Sequence, residues 1–187
     1  MGTDIVIKDA DFSNMALGNL VFDGNFAFNT KYIPSANTEL HLEIKNIKLD
    51  ESAWILGSRV SEKDNAISIL YQKDSDSLRI AVDGLNFLSS SFFNGIKDKE
   101  NISIDINCKT GDVTINGINI KYNFTDNLSQ YPLYIGSCNN NGTIDKAYGK
   151  FELIKCIIFE NEELIHSYIP IGDELFDSIN GEFLEKL

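Results

Sequence analysis

The side chains of this 187-residue chain that could carry a covalent or proton-transfer step are two histidines, three cysteines and a run of serines. His41 and His166 stand alone on their predicted strands, with no second metal ligand and no paired acid at a diagnostic spacing. Such histidines are usually surface groups or members of a side-chain hydrogen bond. Cys108, Cys138 and Cys156 form no C-x-x-C pair, and two of them occupy apolar strand positions, so they read as reduced cysteines, two of them core filler. Ser89-Ser90-Ser91 is a polar loop and not a nucleophile elbow. Glycoside hydrolysis needs two carboxylates flanking one bond, one protonated and one ionised. Glu39, Glu43, Asp50 and Glu51 are the acids nearest the aromatic strands, and they form no E-x-D-x-x-E triplet of the glucanase kind. No catalytic residue is expected.

Binding chemistry is better represented. A sugar site pairs an aromatic platform with amides and carboxylates on loops. Trp54, the sole tryptophan, and Tyr148 flank predicted loops, and Asn139, Asn140 and Asn141 offer amides. The structural alternative is that Trp54 fills the core and the asparagine run holds a tight turn. Oxygen ligands on rim loops also suit calcium, and Asp145, Asp83 and Asn139–Asn141 could supply them. No tight D-x-D-x-D cluster is present, so neither a metal centre nor a cofactor is expected.

Whatever residues bind, strands must hold them. Leu40, Leu42 and Ile44 alternate with His41, Glu43 and Lys45, which is period two with one wet face. Residues 54–58 form the next strand. Ile67, Ile69 and Tyr71 then share one face, as do Leu78, Ile80 and Val82. Ile102, Ile104, Ile106 and Cys108 alternate with Ser103, Asp105 and Asn107. Turns at 109–112 and at Asn116-Gly117 make residues 102–122 a three-stranded meander. Turn dipeptides recur at Asp23-Gly24, Asp83-Gly84, Asn94-Gly95, Asn116-Gly117, Asn141-Gly142 and Asn180-Gly181. Only residues 87–93 and 172–179 admit a short helical turn. In the strand 151–159, Phe151 and Leu153 share one parity while Cys156 and Ile158 take the other. An extra residue near Ile154-Lys155, forming a β-bulge, is the favoured explanation over burial of both faces.

Length and composition suit one globular domain, with 43% hydrophobic residues and no low-complexity run. A net charge of -12 with only two arginines gives no footprint for nucleic acid or an anionic membrane. No stretch is apolar enough to insert into a bilayer. The first residues lack the charged and apolar regions of a signal peptide. Residues 1–20 read as either a first strand or a docking arm. Their apolar positions Ile5, Ile7, Phe12, Met15 and Leu17 follow neither a strand nor a helix period. Residues 21–187 form the main domain.

The closing third has a recognisable succession. Leu133-Tyr134-Ile135-Gly136 is followed by an Asn-rich loop, a strand opening Gly149-Lys150-Phe151, a turn at 160–163 and a return strand ending Ile169-Pro170. It resembles the last strands of laminin-G-like, concanavalin A-like lectin domains. The tail Leu175-Phe176-Asp177 with Asn180-Gly181-Glu182-Phe183 is similar to the ending of such domains in phage and prophage virion proteins. The resemblance implies an all-β, antiparallel β-sandwich of the concanavalin A-like jelly-roll class. It also implies a non-enzymatic structural or adhesion component of a bacteriophage virion, in a tail, a fibre or a capsid decoration. Such a protein is made in the host cytoplasm and assembles with other virion subunits into a homo- or hetero-oligomer. The alternative is a lectin module for a bacterial, host-surface glycan, and a more remote one is a glycoside hydrolase.

Overall fold

The computed structural model of the chain describes residues 18–48, 50–61, 66–82, 85–86, 100–121 and 128–187. Outside the described residues lie Ile5, Ile7, Phe12, Met15 and Leu17, the Asp83-Gly84 and Asn94-Gly95 pairs, the serine run and the 87–93 segment.

In chain order the strands begin with β1 (Leu20–Asp23), β2 (Phe28–Asn29), β3 (Thr38–Lys45), β4 (Ala53–Arg59), β5 (Ala66–Gln72), β6 (Ser77–Val82) and β7 (Leu85–Asn86). The central group is β8 (Asn101–Asn107), β9 (Asp112–Ile115), β10 (Ile118–Lys121), β11 (Tyr134–Ile135), β12 (Asn139–Asn140) and β13 (Thr143–Ile144). The last five are β14 (Lys150–Glu160), β15 (Glu163–Ile171), β16 (Glu174–Asp177), β17 (Glu182–Phe183) and β18 (Glu185–Lys186). One sheet runs β10-β9-β8-β3-β14-β15-β16-β17, with β1 also on β14. The second runs β18-β2-β11-β4-β5-β6-β7, with β12 and β13 attached to β4. The meander is present as β8, β9 and β10, antiparallel throughout.

The inner faces pack as the alternation requires. Leu42, Ile44, Ile104 and Ile106 of the first sheet are buried with Leu56, Ile67, Ile69 and Leu78 of the second. Asp105, Asn107 and Thr114, one residue out of phase, stay partly exposed. A stack of aromatic rings fills one end: Phe22 lies 4.6 Å from Phe151 and 5.0 Å from Phe26. Gly136, at φ +86, lets the backbone pass against that stack, because a Cβ there would sit 2.3 Å from the Phe22 ring. Leu20, the last residue of the segment read as a first strand or a docking arm, is buried in β1 opposite Leu153.

The bulge in β14 is where the parity switch puts it. Leu153 faces Ile44 and Lys155 faces Glu43, so Ile154 is the extra residue. At the same point the neighbour on the other side of β14 changes from β1 to β15. The helical turn admitted at 172–179 is not there. Gly172, at φ +65, allows a two-residue hairpin between Ile171 and Glu174, and Leu175 and Asp177 then alternate inward as β16. The one helical turn among the described residues is 3-10, at Lys73–Ser75. The Asn-rich loop is itself a small hairpin, β12 to β13, with Asn141 and Gly142 at φ 53 and 81.

Candidate binding groove

Strand register builds a site that no local spacing announces. On the outward face of the first sheet, β14, β3, β8 and β9 lie side by side. Ile157 pairs with His41, His41 with Asp105 and Asp105 with Thr114. Two residues along, Phe159 pairs with Glu39, Glu39 with Asn107 and Asn107 with Asp112. These two transverse rows line a groove of about 530 Å³. With strands ~4.8 Å apart, each row spans roughly 14 Å, and the rows lie about 7 Å from one another. The β14 end is apolar and half-buried, and the β8–β9 end is polar and acidic.

His41 is held from both sides. One ring nitrogen contacts the Asp105 carboxylate, and Nε2 lies 3.1 Å from Glu43 Oε1. Lys155 Nζ reaches the same Glu43 oxygen at 3.0 Å. Partial burial alone would raise the Glu43 pKa, but hydrogen bonds from Lys155 and His41 outweigh it and hold the carboxyl below its usual range. Asp112 is also lowered, chiefly by a hydrogen bond from Thr110 and then by Lys121. A glycosidase acid needs the opposite shift. No hydroxyl or thiol nucleophile contacts His41 among the described residues. Burial pushes the Cys108 and Cys138 thiols up to about 12, and the Cys156 thiol rises for the same reason. None is a ready thiolate. This arrangement can hold a polar ligand.

The residues that sequence offered for sugar or calcium lie along β4 of the second sheet, the asparagines at its end and Tyr148 near its start. β12 pairs with Ser58 and Arg59, and Tyr148 forms a bridge to Trp54. Trp54 is 7% exposed, and the Arg59 guanidinium sits over its ring at 4.5 Å. Asn139 is buried; its amide donates to the Pro132 carbonyl and its oxygen accepts from the Gly142 N–H. Asn140 lies opposite Arg59 and Thr143 in the ladders, and the Asn141 side-chain oxygen accepts from the Tyr131 hydroxyl at 2.9 Å. Tyr148 is half-buried. Asp145 accepts from Arg59 and from the Ala147 N–H. Asp83 lies outside the described residues. Among the described residues no three histidine, cysteine or acidic side chains converge as a metal site. His166, the other isolated histidine, is paired with Asp177 at 2.6 Å.

Neither family models nor curated proteins match the sequence. Solved structures do. The chain is similar to the NanB sialidase of Streptococcus pneumoniae, both as the K499G mutant and in complex with a chlorobenzyl-ammonio ethanesulfonate. Each match has a TM-score of 0.54 and 15% identity over 79% of this chain. The chain spans about a quarter of that sialidase, 26% of its length. A SAP-like pentraxin from Limulus polyphemus matches with a TM-score of 0.45 and 12% identity, over 75% of this chain and 71% of the pentraxin. The fold is a concanavalin A-like jelly roll. The likeness is one of fold, and the sandwich with its two antiparallel sheets is the lectin-like architecture that the closing strands resemble.

Proposed function

We propose that this chain is a non-enzymatic adhesion or structural module of a bacteriophage virion, in a tail, fibre or capsid decoration. We place its contact surface in the groove across β14, β3, β8 and β9. The non-enzymatic reading is supported by the clamping of His41 between Asp105 and Glu43, which occupies both ring nitrogens. The virion setting is supported by the tail sequence alone, Leu175-Phe176-Asp177 and Asn180-Gly181-Glu182-Phe183. The partners in this reading are other virion subunits and, at the groove, a glycan of the bacterial surface. A glycan-binding role is favoured by the side-by-side placement of Phe159, Glu39, Asn107 and Asp112, an apolar ring platform beside hydroxyl-binding groups.

Two experiments test it. Purified chain incubated with laminarin, chitin, pectin or peptidoglycan should release no reducing sugar. Steady turnover that Asp105→Asn abolishes overturns the reading. Antibody-gold labelling of particles should decorate one virion part in electron micrographs, and unlabelled particles overturn the virion setting.

A further inference from the structure

We infer that the groove selects a glycan bearing unacetylated amino groups, a short run of hexosamine units held by their ammonium groups. This rests on the binding reading above. The charge count decides the sign of the ligand. Glu39, Asp105 and Asp112 line the groove; Lys155 is spent on Glu43 at 3.0 Å, His41 contacts Asp105 and Lys121 lies 3.9 Å from Asp112, which leaves Glu39 as the carboxylate without a counter-group among the described residues. Glu39 has no hydrogen-bond or ion-pair partner among the described residues, although it stands in the middle of the second row. A sulfated, phosphorylated or uronic glycan would bring like charge against the uncompensated Glu39 carboxylate. A neutral glycan would give the Glu39 carboxylate only hydroxyl donors, whereas an ammonium group adds a full opposite charge to the hydrogen bond.

Shape and polarity choose the glycan over a basic peptide. The face offers side chains only, because the backbone groups of β3 and β8 are engaged in the ladders on either side. A peptide laid there would lose water from its own N–H and C=O groups without replacement. Sugar hydroxyls instead find Asn107 and Thr114, and Phe159 and Ile157 present an apolar patch for a ring face. A groove of about 530 Å³ that is roughly 14 Å across the strands takes a short oligosaccharide and is long for one ring.

The test is calorimetric titration of the whole chain with a glucosamine hexamer, its fully N-acetylated counterpart and a lysine hexapeptide. The glucosamine hexamer should bind at least tenfold more tightly than either of the others. Glu39→Gln should weaken it by roughly tenfold, the worth of one hydrogen bond to a charged group. Glu174→Gln, exposed at the start of β16 and away from the groove, controls for attraction by the net charge and should change affinity less than twofold. Equal affinity for the acetylated hexamer overturns the inference and leaves a neutral-glycan module. Equal affinity for the peptide, or equal losses in the two glutamine variants, overturns it in favour of a protein partner or diffuse charge. Binding by none of the three also overturns it, while gold-labelled particles would still uphold the virion module.

Discussion

His41 and His166 each meet an aspartate across a β-ladder, yet the two pairs do opposite things. His41 and Asp105 are direct partners on the wet face of the first sheet, and both keep substantial exposure. Asp177 points inward, is 1% exposed, and is surrounded by donors. His166 lies 2.6 Å away, Asn180 donates at 2.7 Å, and the Ser167 and Ile179 N–H groups donate at 3.1 Å. The His166 ring also stacks on Tyr168 at 5.3 Å. Burial pushes the Asp177 pKa up, but these hydrogen bonds overcome it and bring the carboxyl to about 2. The same residue pair is therefore a structural anchor on one face and part of the proposed binding surface on the other. The difference lies in which way the strand parity points them.

The contrast can be broken most forcefully at Asp177. Asp177→Ala strands His166 and two part-buried backbone donors, and should cost about 2–3 kcal/mol in urea unfolding. A loss below 1 kcal/mol would show that the anchor carries no weight. The next effect is on pH. Asp177 is depressed from its ordinary 3.8 to about 2, so between those values the unfolded chain takes up the proton first. Its contribution is complete above about pH 4 and falls away as pH drops to about 2, by roughly 2 kcal/mol. Asp177→Asn should flatten the stability curve in that window, measured by thermal melts from pH 5 to 2. The smallest effect belongs to the exposed pair: Asp105→Asn should change stability by less than about 1 kcal/mol. A larger loss would make the His41 cluster structural as well.

The strands were legible wherever one face is wet. β3 and the β8–β10 meander show two-residue alternation, and the bulge shows as a parity switch between Leu153 and Cys156. β16 was not, because Leu175 and Asp177 share its inward face and a buried aspartate looks polar in sequence. The groove was not legible at all as a site. Its wet-face residues were visible one strand at a time, but Glu39 and Phe159 are 120 positions apart and meet only through register. The signal that could have found it is the shared outward parity of Glu39 and His41 with Asp105 and Asn107, once β3 and β8 are known to be neighbours. Trp54, Tyr148 and the asparagines were offered by residue type; that β12 and Tyr148 both return to β4 appears only in the sheet. Which of their atoms are free was beyond sequence, because Arg59 covers the Trp54 ring from within the same strand.

The surplus residue in β14 has a consequence for the gene. Dropping one codon inside a strand normally turns every later side chain to the wrong face. Dropping that of Ile154 would instead join Leu153, opposite Ile44, directly to Lys155, opposite Glu43. Phe151, Leu153, Cys156 and Ile158 would all keep their inward aim. The exchange of β1 for β15 falls at the same place, so no continuous ladder on that side would be cut. Here the longest strand can shorten by one residue without turning itself inside out.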